Sequence, residues 1–571
     1  MNRRRRRRSA FGGWIFVLLI LAAASGYIIY NKLIPSNEVM NLTDYYKLGE
    51  NEAVVVLQNK LSDIKGLVVD GKVYVDSEVV SQELNHRFYW DSNENILTYT
   101  TPTEILRAEA ESNKFTVTKS KLASNDKTGY PIVKVSKDKA YIALDFVQQY
   151  SNMKYQYYEK PNRVVISYKW GELLCTETKK NTQIRKNSSI KSPILQQLST
   201  GVGLVYADMD EALANGFSKV ITEDGIIGYV KNSHVKEPFY NTISNDDYKA
   251  SEYTSLTKTE KINLVFHQIF NTSAAYHLEE LINSTKNVNV ISPTFFRVKD
   301  TSGAIESVAT KTYVKKANNL GLEVWGLVTD VDIDVSMYEL LSRTSSRDTL
   351  SNTLIDYAVK YKLNGINIDF ELITSDAGKH YVQFLRELSV KCRNNGIILS
   401  VDSYVPSGYT EYFDRQEQGK VLDYVVVMAY DEYNAGSEEP GPVASIGFVQ
   451  DAVTNIIEMV PKEKVIIAIP FYTRLWKENT DGSVVSKTYA MSSASALVAD
   501  SGGKPEWDDI AGCNYAEFDK NSATYRIWIE DEKSIEEKMK VIHEAGVGGT
   551  AYWKLGLEKA DIWDIIIKYN N

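Results

Sequence analysis

From about residue 261 onward, apolar runs of five or six residues alternate with stretches whose apolar positions recur at helical spacing. The runs fall at 262–266, 288–292, 323–328, 365–370, 398–402, 424–429, 465–470 and 549–553, with helical stretches such as 348–362 and 379–394 between them. Near-continuous apolar strands separated by helices are what a parallel sheet covered on both faces requires. Eight such units in residues 258–571 predict a (β/α)₈ TIM barrel. The stretch of about 78 residues between Pro470 and Gly549 predicts an insertion between strands 7 and 8. A doubly wound open sheet is the alternative, but it calls for a Gly-rich phosphate loop after the first strand, and none is present.

Upstream the pattern changes to period-2 alternation broken by turns. Residues 72–80 (KVYVDSEVV) align with 139–147 (KAYIALDFV), so that Asn85 falls on Asn152 and Asn95 on Asn162, a repeat with a period of 67 residues. Each copy predicts a strand, a helix and a strand pair, giving a duplicated α+β stalk domain over 51–170 after a linker at 32–50. This unit resembles the amino-terminal domain named after copper amine oxidases, although nothing in it looks like a copper ligand set. Residues 171–236 carry short β-type runs, a turn at Gly201–Gly203, and the closing string Gly225-Ile226-Ile227-Gly228-Tyr229-Val230-Lys231. They resemble a bacterial SH3-like β-barrel, with Tyr229 where such domains often have Trp. Residues 237–257 are expected to be a second linker.

Charge and composition then restrict partners and location. Six arginines, Arg3 to Arg8, form a basic tail over 1–8 ahead of an uncharged apolar run over 9–31. That run has the roughly 20 residues that a membrane-spanning helix needs. The arginines predict a cytoplasmic N-terminus and an exported remainder. A cleaved signal peptide is the rival, since Ala22, Ala23 and Ala24 offer a cleavage site, but the apolar run continues beyond them to Tyr30. Taking the six arginines from the net charge of −9 leaves −15 for the rest, which argues against nucleic acid as a partner. The three cysteines, Cys175, Cys392 and Cys513, are too few and too scattered for a disulfide framework or a metal site.

The candidate chemistry is concentrated in Asn364-Gly365-Ile366-Asn367-Ile368-Asp369-Phe370-Glu371. Read as a strand, it turns Ile366, Ile368 and Phe370 toward the helices and Asn367, Asp369 and Glu371 toward the barrel interior. Burying two carboxylates costs several kcal/mol by order of magnitude unless they reach the open end, and at a barrel strand's carboxyl end that placement reads as catalytic. The string resembles the Asp-Gly-x-Asp-x-Asp-x-Glu signature of glycoside hydrolase family 18. The resemblance continues in order: Val427-Met428-Ala429-Tyr430-Asp431-Glu432 is similar to the family's sixth-strand motif. Ile469-Pro470-Phe471-Tyr472-Thr473-Arg474 is similar to its seventh-strand segment, and Gly549-Thr550-Ala551-Tyr552-Trp553 to its eighth. An Asn at 367 and the segment 439–445 (EPGPVAS) resemble the spore-cortex and cell-wall lytic branch.

The resemblance implies a glycosidase that uses the substrate's own acetamido group as nucleophile. On that reading Glu371 is the general acid, Asp369 holds the acetamido N–H, Tyr430 donates to its carbonyl, and Trp553 forms the floor. Asn367, Met428, Asp431, Tyr472 and Arg474 would contact substrate, and no metal or organic cofactor is required. Two departures stand out. Asn364 replaces the signature's first Asp, near the strand start. Asn367 replaces its middle Asp, which is expected to spare Asp369 a like-charged neighbour and keep it ionised to lower pH. Trp325, Phe296, Tyr404, Trp476 and Phe266 could line subsites or pack the core. The implied partner is an N-acetylated glycan, peptidoglycan ahead of chitin. The rival functions are a non-catalytic glycan-binding barrel and a structural envelope factor.

Overall fold

The computed structural model describes residues 11–207, 216–331 and 333–570. The basic tail at 1–8 and the start of the expected membrane helix lie outside these. The first described helix, Phe11–Leu33, contains Gly13–Tyr30, with a mean hydropathy of 2.0, long and apolar enough to cross a membrane. The chain divides into two compact units, and the division falls inside the duplicated region.

The first unit comprises residues 1–88, 110–113 and 128–250. In it, Lys72–Asp76 and Lys139–Ala143, the equivalent strands of the two repeat copies, pair antiparallel as the second and third strands from one edge of an eight-stranded sheet. The second copy's strand pair, Lys154–Tyr158 and Arg163–Ser167, completes that sheet at its other edge. The unit also contains a seven-stranded antiparallel sheet. Its last strand, Phe239–Ile243, pairs with Gly171–Glu177, so the segment expected as a linker from 237 begins with a strand.

The second unit comprises 89–109, 114–127 and 251–571. Eight parallel strands form the predicted barrel: β1 Ile262–His267, β2 Val290–Pro293, β3 Glu323–Thr329, β4 Gly365–Asp369, β5 Ile398–Tyr404, β6 Tyr424–Met428, β7 Val465–Pro470 and β8 Gly549–Trp553. Each pairs with the next, and β1 pairs with β8 to close the ring. Side chains split by parity as the strand period demands. Val265, Ile291, Val324, Ile366, Ile368, Val425 and Ile467 pack under the helices, whereas Phe266, Trp325, Leu327, Tyr424, Val426, Ala468 and Ala551 fill the lumen. The insertion after β7 is a five-stranded antiparallel sheet with the helix Met491–Asp500.

The first copy's strand pair, Tyr89–Asp91 and Ile96–Thr100, belongs to this unit and opens a separate five-stranded sheet that ends at Ala123–Lys127. That sheet packs on the helices Thr344–Tyr361 and Gly378–Asn394. Arg107 bonds both Asp348 and, at 2.9 Å, Glu387. Glu387 is fully buried and also takes Arg347 at 3.1 Å. Tyr89 meets His380 at 2.6 Å, and Asp91 accepts the N–H and hydroxyl of Thr344 at 2.6 and 2.7 Å.

Candidate active site

The carboxyl ends of β3 to β8 gather the polar residues of the barrel. The parallel register sets Thr329 beside Asp369 and Asn367 beside Ser400. Ser400 donates to Asn367 Oδ1 at 2.6 Å, and Asn367 Nδ2 donates to Asp402 Oδ2 at 2.7 Å. Asn367 and Asp402 are both buried, and Asp369 is only 7% exposed. Beyond the end of β4, the backbone N–H groups of Glu371 and Leu372 donate to the two carboxylate oxygens of Asp330 at 2.7 and 3.0 Å. Glu371 Oε2 accepts the hydroxyl of Tyr404 at 3.1 Å. Asn364 lies before the start of β4, where its side-chain Oδ1 takes the N–H of Val324 at 3.0 Å.

Burial and mutual repulsion raise every carboxyl here. Desolvation pushes Asp369 well above the usual carboxylate range, and the charges of Asp402, Glu371 and Asp330 push it further, against one hydrogen bond from Thr329. Asp402 is raised by burial in the same way. Asp330 is pushed up to about 6 by burial, opposed by the two N–H groups it holds. Glu371 is raised by burial and held back by the Tyr404 hydroxyl. Asn367 keeps one carboxylate away from Asp369 but does not leave Asp369 without a like-charged neighbour. Asp402 on β5 supplies that charge, through a strand pairing that β4 by itself does not reveal.

Asp369, Glu371 and Trp553 line one cavity of 430 Å³, together with Phe296, Phe270 and Thr329. A second cavity of 330 Å³ is lined by Asp431, Tyr472, Arg474, Tyr489 and Lys554, and shares Trp553 and Gln268 with the first. In it Asp431 accepts Tyr472 at 2.6 Å and Arg474 at 3.2 Å. Asp431 has φ 54°, a left-handed turn that Asp tolerates better than most residues. Tyr430, just before it, packs against the lumen cluster with its ring 6.4 Å from that of Tyr472. Met428 is buried beside Tyr404 in the register of β5 and β6.

Of the aromatic residues left open by the sequence, Trp325 is core, stacked on Tyr424 at 5.3 Å, and Trp476 is core with its indole N–H on the Gly441 carbonyl. Phe266 is buried beneath Trp553 at 5.4 Å, whereas Phe296 reaches the cavity and Tyr404 reaches Glu371. Asp330 and Asp402 were missed from sequence. Asp402 had one available signal, the parity that puts it in the lumen with Ile398 and Ser400.

The sequence profile of Glycosyl hydrolases family 18 matches residues 225–558, and that of the Copper amine oxidase N-terminal domain matches 54–166. YdhD of Bacillus subtilis (strain 168), named as a presumed sporulation-specific glycosylase, is 27% identical over 45% of this chain and 61% of its own length. The chain thus spans under two thirds of that relative. A cortical fragment-lytic enzyme of Bacillus anthracis is 24% identical over 51% of this chain and 71% of its own. In fold, the C-terminal domain of a presumed chitinase from Desulfitobacterium hafniense DCB-2 superposes with a TM-score of 0.50 at 19% identity. That likeness covers 55% of this chain and all of the other.

Proposed function

The chain belongs to glycosyl hydrolase family 18, and from that premise we propose that it cleaves β-1,4 linkages in N-acetylglucosamine-containing polymers by substrate-assisted, retaining catalysis. Glu371 protonates the leaving glycosidic oxygen while the 2-acetamido carbonyl attacks the anomeric carbon. Asp369 receives the acetamido N–H and balances the positive charge of the oxazolinium ion. Tyr430 donates to the acetamido carbonyl, and Trp553 is the wall against which the ring lies. Asn367 orders the carboxylates from below, and Met428, Asp431, Tyr472 and Arg474 complete the sugar's surroundings. The observation that carries this reading is that Asp369, Glu371 and Trp553 line a single cavity at the mouth of the barrel. A raised Glu371 suits a group that must hold its proton until the bond breaks.

Peptidoglycan is the favoured polymer, a choice supported by relatives whose names refer to sporulation and cortical fragments. The apolar first helix is read as an anchor that leaves the barrel outside the cell, and residues 171–236 as an SH3-like module. Incubating the full chain with purified peptidoglycan and with chitin oligomers, with Glu371→Gln as control, tests the activity. Expected are new N-acetylglucosamine reducing ends by mass spectrometry and a loss of about 10³-fold in the variant. Equal turnover by Glu371→Gln would sink the assignment of the acid.

A further inference from the structure

The register of β4 and β5 has a consequence for how the site stores its charge. Asn367 pairs with Ser400 and Ile368 with Val401; continuing that register by one residue brings Asp402 next to Asp369, and the charge of Asp402 acts on Asp369. Neighbouring strands lie about 4.8 Å apart, and paired residues in parallel strands face the same side. The hydrogen bonds from Ser400 to Asn367 and from Asn367 to Asp402 confirm that this row faces the lumen. Among the described residues neither Asp369 nor Asp402 is ion-paired to a Lys or Arg. Their charged or titratable neighbours are the acids Glu371, Asp330, Tyr404, Tyr430 and Tyr381, with buried Arg415 behind them, bonded to the Ser403 hydroxyl and the Tyr404 carbonyl rather than to either carboxylate. Two buried, adjacent carboxylates without a cation cannot both ionise at ordinary cost.

Which of the two keeps the proton follows from their other contacts. Asp369 lines the cavity and takes a hydrogen bond from Thr329, so its charge can be met from both sides. Asp402 does not line the cavity, and its Oδ1 is buried with no hydrogen-bond partner among the described residues. As a carboxylate that oxygen is an unmet acceptor. As an acid it carries a hydrogen that can be donated across the rung to Asp369.

We propose that Asp369 and Asp402 share a single proton, held on Asp402, so that Asp402 is a positioning residue that donates to Asp369 and leaves one negative charge facing the substrate's acetamide. The proposal rests on the glycosidase reading for its consequence in turnover, but the shared proton is a property of the resting protein. Asp402→Asn mimics the protonated acid in shape and as a donor, whereas Asp402→Leu removes the donor.

The test is a pair of measurements on the full chain. In pH-dependent infrared difference spectra of wild type against Asp402→Asn, the wild type should show, over and above the protonated Glu371 common to both, a carboxylic acid band near neutral pH that the variant lacks. In kcat/KM profiles on N-acetylglucosamine oligomers, Asp402→Asn should lower turnover less than about tenfold and leave the acid limb within a few tenths of a pH unit. Asp402→Leu should raise that limb by about one unit or more. Adding Asn367→Asp alone should also raise it, and the Asn367→Asp/Asp402→Asn double variant should bring it back. If the difference spectrum shows no carboxylic acid band lost at neutral pH, or if Asp402→Asn moves the acid limb downward, Asp402 is ionised in the wild type and the proposal is overturned. The infrared result stands whether or not the oligomers are cleaved, so the two failures can be told apart.

Discussion

The carboxylate of Asp330 is fully buried and receives the N–H groups of Glu371 and Leu372, so the backbone that carries the proposed acid hangs on one side chain. Asp330→Ala would take the acceptor from two part-buried backbone donors, at about 1 kcal/mol each. The expected result is a kcat lowered by about tenfold or more with KM changed little, because a misplaced acid affects the reacting geometry more than ground-state binding. A raised KM at unchanged kcat would instead assign the loop to substrate binding. Tyr404 tests the acid itself. Its hydroxyl favours the charged form of Glu371 and opposes the rise caused by burial. Tyr404→Phe should therefore move the alkaline limb of the pH–rate profile upward, by about 0.5–1 unit. An alkaline limb that fell would show that another group controls it.

At the level of elements, β4 was legible because its alternation, Ile366, Ile368 and Phe370 outward against Asn367 and Asp369 inward, is a property of one strand. All eight barrel strands were legible for the same reason. The partners of β4 were not, since Asp402 and Thr329 reach Asp369 only through the rungs between strands. Closure of the ring also sets limits that no single strand displays. A Cβ at Gly549 would stand 2.3 Å from the carbonyl oxygen of Ile262, where β8 meets β1. Gly549→Ala must push two paired backbones apart, and overpacking of this kind costs about 1–3 kcal/mol. The expected outcome is a lowered midpoint in thermal or urea unfolding, while an unchanged midpoint would show that the seam between β8 and β1 yields freely.

For the molecule as a whole, the sheet over residues 89–127 is part of the unit that holds the barrel, so a chain cut to 258–571 would lose Arg107, Asp91 and Tyr89 from the barrel's helices. Arg107→Ala takes one cation from Asp348, which keeps Lys391, and one from buried Glu387, which keeps Arg347, so the loss is that of charge-assisted hydrogen bonds, about 1–3 kcal/mol. Calorimetry of the variant should show the barrel melting earlier. His267 and His380 add a pH term. Burial lowers both to about 4 from an ordinary 6.5, so below 6.5 the unfolded chain takes up protons that the folded one excludes. Stability should fall as pH drops from about 6.5 to about 4, approaching on the order of 3 kcal/mol per histidine. Unfolding midpoints that stayed flat across that window would contradict the neutral, buried state of both rings. The eight-stranded barrel, the stretch inserted after β7 and the string bearing Asp369 and Glu371 could be read from sequence alone, because strand and helix periods and local motifs are written along one stretch of chain. Only the tertiary structure decided that the two repeat copies send their strand pairs to different units, that Asp330 holds the Glu371 backbone, and that Asp402 stands beside Asp369. Those depend on register and packing between segments far apart in sequence, where the free energy of pairing is set by the partner as much as by the residue itself.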